Sequence, residues 1–206
     1  MSERAAWAIG ASVPGHYGVA PATLTLREIS ITTAWNLQGN PMDATLLATA
    51  HREFDVVLPQ VPNTTSRNES CMAFWLGPRS WLLVAREGSS HTMSPSTFAG
   101  CRNALNGAGG ALFDVSASRV AFMLEGPAAS SVLAKECPLD FHPRVFGAGQ
   151  CAQSMLGHVN ALFYRPAATS AFIVLVARSM AGDVWHALCV SAAQHGYEVA
   201  HPAAFR

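Results

Sequence analysis

Ten residues, CPLDFHPRVF (137–146), carry a thiol, a carboxylate, an imidazole and a guanidinium: Cys137, Asp140, His142 and Arg144. A thiolate beside a base makes a nucleophile, and the same thiol and imidazole suit a metal ion. A metal would recruit Cys137 and His142 together with Cys151 and His158. Their gaps match neither finger nor ribbon spacing. The two prolines favour a stiff connection instead. Cys137 before Pro138 suits a small buried residue at a helix end. His142 before Pro143 suits a restrained turn, because a residue preceding proline avoids the helical region.

The other chemistry-bearing residues divide in the same way. Asp114, Glu125 and Asp140 are the centrally placed acids. In FDVSASRV, Asp114 or Ser116 suits a cap or turn between strands; the alternative is a ligand-facing acid at a strand end. GAGQCA (147–152) matches a loose dinucleotide fingerprint, but no acid occurs between Gly149 and Asp183, and the residues that follow read as a strand. A glycine-bearing turn accounts for it. There is no phosphate-binding loop and no serine elbow. Trp35, Trp75, Trp81 and Trp185 suit core or interface anchors, with a ring-stacking platform as the alternative. The residues by themselves assign no catalytic, cofactor-binding or metal-binding side chain.

The elements that would position these groups follow from period and punctuation. Residues 1–22 read as an arm. LTLREISITTAWNLQG (24–39) is rich in β-branched and apolar residues and reads as extended. Pro41 suits a helix start before MDATLLATAHREF, and 59–70 is a loop. CMAFWL and SWLLVAR flank Gly77-Pro78 as a hairpin, and Ser94-Pro95 opens a helix to about Leu105. ALFDVS and RVAFMLEG are strands, and PAASSVLAKE is a helix. CAQSMLG, HVNALFYR and FIVLVAR are strands. SMAGDVWHALCVSAAQHG is a helix with Ser179 as N-cap and Gly196 as stop.

A repeat runs through this order. NLQGNPMDATLLA resembles MLEGPAASSVLA, aligning Gly39 with Gly126 and Phe54 with Phe141, and LLVAR (82–86) resembles VLVAR (174–178). The expected fold is α+β: two β-α-β-β-α halves with mostly antiparallel sheet, forming one domain over 1–206.

The 206 residues suffice for a sizeable core. Thirteen basic residues balance thirteen acidic ones, which leaves no electrostatic footprint for nucleic acid or an anionic membrane. Half the residues are hydrophobic and only 13% are charged, against about 25% in an ordinary globular chain. Such a surface is best explained by burial against other subunits, through an interface over about 2,000 Å². A low-charge monomer with a Ser, Thr, Asn, Gln and Gly surface is the alternative. Five widely spaced cysteines without CxxC fit reduced thiols in a cytoplasm. The start lacks a signal-peptide core, and the longest strongly apolar run, AFIVLVA, is strand-sized.

LREI near the start, WLGPRSWLLVA (75–85), the block 113–157 that contains CPLDFHPRVFGAGQCAQ, and VARSMAGDVWHAL (176–188) resemble the gamma subunit of heterotetrameric sarcosine oxidase. The resemblance covers about 23–199; the edge ESCMAFWLGPRSWLL is less charged than is usual there. It implies a fold like part of the folate-binding aminomethyltransferase of the glycine cleavage T-protein. It implies partners, the alpha, beta and delta chains, in a complex that oxidises the N-methyl group of sarcosine. FAD, FMN and NAD would lie in alpha and beta, zinc in delta, and the folate site in alpha. The family motif carries no catalytic residue in gamma, so the implied role is structural. A stand-alone folate-binding one-carbon transferase, with Asp114 or Glu125 toward the pterin, and a gamma chain of a related N-methyl amine oxidase are the alternatives.

Overall fold

The computed structural model describes residues 13–88, 95–166 and 170–206. In chain order the elements are β1 (Gly15–Tyr17), β2 (Leu24–Ser30), β3 (Ala34–Gln38), α1 (Ala44–Phe54), β4 (Thr65–Arg67), β5 (Cys71–Gly77), β6 (Ser80–Ala85), α2 (Pro95–Gly107) and β7 (Ala111–Asp114). There follow β8 (Arg119–Glu125), α3 (Ala129–Glu136), β9 (Cys151–Leu156), β10 (Val159–Tyr164), β11 (Ala171–Ala177), α4 (Ala181–Ala192), β12 (Tyr197–Val199) and β13 (Ala203–Ala204). This is the α+β, mostly antiparallel architecture expected. The chain divides into two compact units: residues 1–30 with 118–204, and residues 31–117 with 205–206.

The first unit is built on an eight-stranded sheet, ordered β1-β12-β2-β8-β11-β10-β9, with β13 also on β2. Among the described residues only the β12–β2 and β13–β2 pairings are parallel. AFIVLVA becomes β11, a central strand buried from Ala171 to Val176, as an unbroken apolar run demands. Alternate residues of β8 and β11 (Val120, Phe122, Leu124; Phe172, Val174, Val176) share one core with Val132 and Leu133 of α3 and Val184 and Leu188 of α4. That period of two is why one face of the sheet carries both helices.

The second unit has a five-stranded antiparallel sheet, β4-β5-β6-β3-β7. Trp35, Leu37, Ala73, Trp81, Leu83 and Leu112 meet Leu46, Ala50 and Phe54 of α1 and Cys101 and Leu105 of α2. The start of α1 differs from the sequence expectation. Asp43, not Pro41, does the capping: its Oδ1 accepts the Thr45 and Leu46 N–H groups at 2.8 and 3.2 Å. α4 likewise has Met180 at its N-cap without a side-chain bond, in place of Ser179. Ser94 lies outside the described residues, as do 1–12.

The repeat has a structural counterpart. β4-β5-β6-β3 and β9-β10-β11-β8 are the same order, each with an antiparallel neighbour added beyond, β7 on β3 and β2 on β8. Leu37-x-Gly39 and Leu124-x-Gly126 end the corresponding strands β3 and β8. The two glycines are required for different reasons. A Cβ on Gly39 would sit 2.2 Å from the Leu46 side chain, so α1 packs against bare backbone. Gly126 has φ +131°, and a Cβ there would sit 2.5 Å from the Thr23 carbonyl. The expected arm contains β1, which pairs antiparallel with β12 and is joined by a His16–Glu198 contact at 2.9 Å and a Tyr17–Tyr197 stack at 5.4 Å.

Candidate functional site

The decapeptide turns Asp140, His142 and Arg144 outward and its rings inward. Cys137 closes α3 in an extended conformation and is buried. Asp140 Oδ1 accepts the His142 N–H at 2.8 Å, and the His142 carbonyl accepts the Val145 and Phe146 N–H groups, both at 2.9 Å. His142 and Arg144 are exposed, whereas Phe141 and Phe146 are buried. Phe141 lies 5.9 Å from Phe146, and 5.3 Å from both Phe163 of β10 and Phe172 of β11. Arg165 donates to the Phe146 carbonyl at 2.8 Å while its guanidinium sits 5.6 Å from the Phe172 ring. The loop is pinned by aromatic packing and turn hydrogen bonds.

The proposed metal ligands do not meet. Cys151 opens β9 and His158 lies in the turn past its far end, a separation of roughly 20 Å at strand rise. Among the described residues no group of three or more His, Cys, Asp or Glu could hold a metal ion. Asp114 is an exposed turn former whose Oδ1 accepts from the Ser116 N–H at 2.9 Å and hydroxyl at 2.6 Å. Glu125 is exposed at the end of β8. GAGQCA is a turn: Gly149 has φ +77°, Gln150 Oε1 accepts the Gly147 N–H at 2.6 Å, and a strand rather than a helix follows.

All five cysteines are free thiols, and Cys71, Cys101, Cys137 and Cys151 are buried. Burial pushes the Cys71 thiol up to about 12 against two backbone hydrogen bonds that lower it. Cys101 is also pushed up to about 12, by burial and then by the negative charge of Glu53. Burial raises Cys189 as well. A nucleophilic thiol needs the opposite shift.

Trp35 and Trp81 belong to the core, at 1% and 0% exposure, and Trp81 Nε1 donates to the Pro59 carbonyl at 2.8 Å. This assigns Trp81 to the core side of the expected choice between core and interface anchor. Trp75 does reach the surface. With Pro41, Met42, Gln60, Pro62 and Pro78 it lines an uncharged groove of about 320 Å³ in the second unit. The Met42 N–H donates to Asn40 Oδ1 at 3.1 Å, and the residue stands 86% exposed in the turn before α1. Val61 beside Pro62 is 63% exposed. Sequence reading treated these prolines only as punctuation. An apolar residue stands next to each of Pro41 and Pro62, Met42 and Val61, and that pattern is the signal that could have found this surface.

A family model described as sarcosine oxidase, gamma subunit family matches residues 38–194. The sarcosine oxidase subunit gamma of an Arthrobacter species is 32% identical over 76% of this chain and 74% of its own. That of Corynebacterium sp. strain U-96 is 36% identical over 69% of this chain and 66% of its own. A chain of the heterotetrameric sarcosine oxidase of Corynebacterium sp. U-96, solved with pyrrole 2-carboxylate, superposes with a TM-score of 0.75 at 29% identity, covering 87% of this chain and 88% of that one. The glycine cleavage system aminomethyltransferase T of Bartonella henselae shares the fold alone, with a TM-score of 0.60 at 16% identity over 87% of this chain and 48% of that one.

Proposed function

We propose a function from one premise: this chain belongs to the sarcosine oxidase gamma subunit family. It is the gamma subunit of a heterotetrameric sarcosine oxidase and works there as a structural chain without chemistry of its own. The observation that carries this reading is the likeness, over nearly the whole of both chains, to a chain of such a heterotetramer. The complex removes the N-methyl group of sarcosine by oxidation, giving glycine and hydrogen peroxide, with the carbon leaving as formaldehyde or passing to tetrahydrofolate. Alpha, beta and delta are its partners; FAD, FMN, NAD and zinc reside in them, and the assembly is cytoplasmic. The outward-facing polar groups of the decapeptide, the raised thiols and the dispersed acids support a non-catalytic role. The low charge and the apolar groove support a surface made to be covered by the neighbouring chains.

Co-expression with the other three subunits tests this. A stoichiometric complex that retains this chain through purification is the expected result. A free chain that binds tetrahydrofolate saturably would replace it with the one-carbon transferase reading. In the assembled complex Cys137→Ala is expected to leave sarcosine turnover within about twofold; loss of turnover with normal assembly would restore a reactive thiol.

A further inference from the structure

The end of α2 is built on the sequence LNGAGG (105–110), within the second unit. Gly109 has φ +81°, and its N–H donates to the Asn106 carbonyl at 3.1 Å, while the Gly110 N–H donates to the Leu105 carbonyl at 2.9 Å. That pair of bonds around a left-handed glycine is the Schellman stop of a helix. Gly110 then runs against the core, where a Cβ would sit 2.6 Å from the Leu46 side chain. β7 begins at the next residue and pairs with β3. The Asn106 side chain adds a clip to this stop. With its NH2 turned toward acceptors, Nδ2 donates to the Arg102 carbonyl at 3.3 Å and to the Gly110 carbonyl at 3.2 Å. One amide thereby ties the last helical turn to the residue that precedes β7.

The residue after the clip is Gly107, and Asn106-Gly107 is the one Asn-Gly step in the sequence. Asparagine is a labile residue, and a following glycine has no Cβ to shield its backbone nitrogen. Both residues are exposed, and nothing lies within 4 Å of a Cβ built on Gly107. We propose that Asn106-Gly107 is a spontaneous modification site whose reaction irreversibly opens the junction between α2 and β7. The Gly107 nitrogen, its proton taken by solvent base, attacks Asn106 Cγ. The Cγ–Nδ2 bond breaks, and ammonia leaves with a proton returned from solvent. Water then opens the cyclic imide to an aspartyl or isoaspartyl residue, with no change of oxidation state. As the last residue of α2, Gly107 holds its N–H in the helix ladder, so the step proceeds from the frayed turn and not from the closed one. The product cannot re-form the clip. A carboxylate only accepts hydrogen bonds, and here it would face the Arg102 and Gly110 carbonyls at the negative end of the helix dipole. Fraying of this turn is thereby converted from a reversible event to a one-way event.

Peptide mass mapping of the full chain, held at mildly alkaline pH, tests the site. The peptide containing Asn106 is expected to gain the mass of an amide-to-acid exchange before any other asparagine does, about tenfold or more slowly than in the urea-unfolded chain. Gly107→Ala places a methyl group in open space and is expected to slow conversion of the unfolded chain by about tenfold. Hydrogen exchange reads the consequence. Asn106→Asp is expected to speed exchange of the amides of 108–113 by about threefold or more, while β5 and β6 stay within about twofold of wild type. Should Asn106→Asp fail to fold, exchange on the deamidated fraction of the wild-type chain decides. An unmodified Asn106 in the native chain after the unfolded chain has converted in full, or unaltered exchange over 108–113 once the carboxylate is in place, overturns the proposal.

Discussion

Three of the four side chains of 137–146 that advertise chemistry, Asp140, His142 and Arg144, are left in solvent; the fourth, Cys137, is buried, and two rings that advertise nothing, Phe141 and Phe146, hold the segment. Phe141→Ala is therefore expected to cost about 3–5 kcal/mol of stability, because it opens a cavity among Phe146, Phe163 and Phe172. His142→Ala, an exposed position, is expected to stay within about 0.5 kcal/mol. Urea unfolding of both variants checks the contrast, and a larger loss at His142 would return the imidazole to a working role. The thiols make a second residue-scale case. Below pH 9 Cys71 is protonated both folded and unfolded; above it the unfolded thiol ionises while the folded one, pushed up to about 12, does not. The unfolded state then binds fewer protons, so stability is intact below pH 9 and falls as pH rises from 9 toward 12. Cys71→Ala is expected to flatten that alkaline slope by up to about 1.4 kcal/mol per pH unit. A slope unchanged in the variant would place the titration elsewhere. What sequence reading could see here was the residue types. It could not see the ring cluster, because Phe163 and Phe172 arrive from strands whose register with the loop no local pattern encodes.

At the scale of elements, long periodic segments were legible and short ones were not. The β5–β6 hairpin, β8, β10, β11 and the bodies of α1, α2, α3 and α4 fall where period and punctuation put them, while the starts of α1 and α4 do not. The stretch 24–39 reads as one extended run because Ile31-Thr32-Thr33 contains no breaker, yet β2 and β3 join different sheets. β4, β12 and β13 are two or three residues long and exist by virtue of the strand beside them. Nothing within three residues could announce that. The helix start at Asp43 was missed because proline is the louder letter, although an acid before Ala44 is the better cap. Asp43→Ala is expected to destabilise the chain by about 1 kcal/mol, while Pro41→Ala changes stability by less than about 0.5 kcal/mol. Thermal unfolding of the pair checks the assignment; the reverse ranking would move the cap back to the proline.

At the scale of the whole molecule, a low charge fraction can be satisfied by a polar uncharged surface or by a covered one, and the exposed side chains distinguish them. Met42, Val57, Val61, Val145 and Val190 each keep more than half their surface in water. Met42 gathers with Pro41, Gln60, Pro62, Trp75 and Pro78 around one uncharged groove, and exposed Val61 is the chain neighbour of two of them. If neighbouring oxidase chains cover this face, a carboxylate placed there must be desolvated on assembly without a partner, a cost of about 1–3 kcal/mol. Met42→Glu is expected to weaken retention in the co-expressed complex by about tenfold, because every 1.4 kcal/mol is a decade of affinity. The same change in the isolated chain costs nothing in packing, since the side chain is 86% exposed; its unfolding midpoint is expected to stay at the wild-type value. Val190→Glu, on the exposed face of α4 in the other unit, asks the same question of a second surface. A complex that holds Met42→Glu as firmly as wild type would leave the groove in solvent and assign the covered area to other exposed residues, Val190 being the first to be measured.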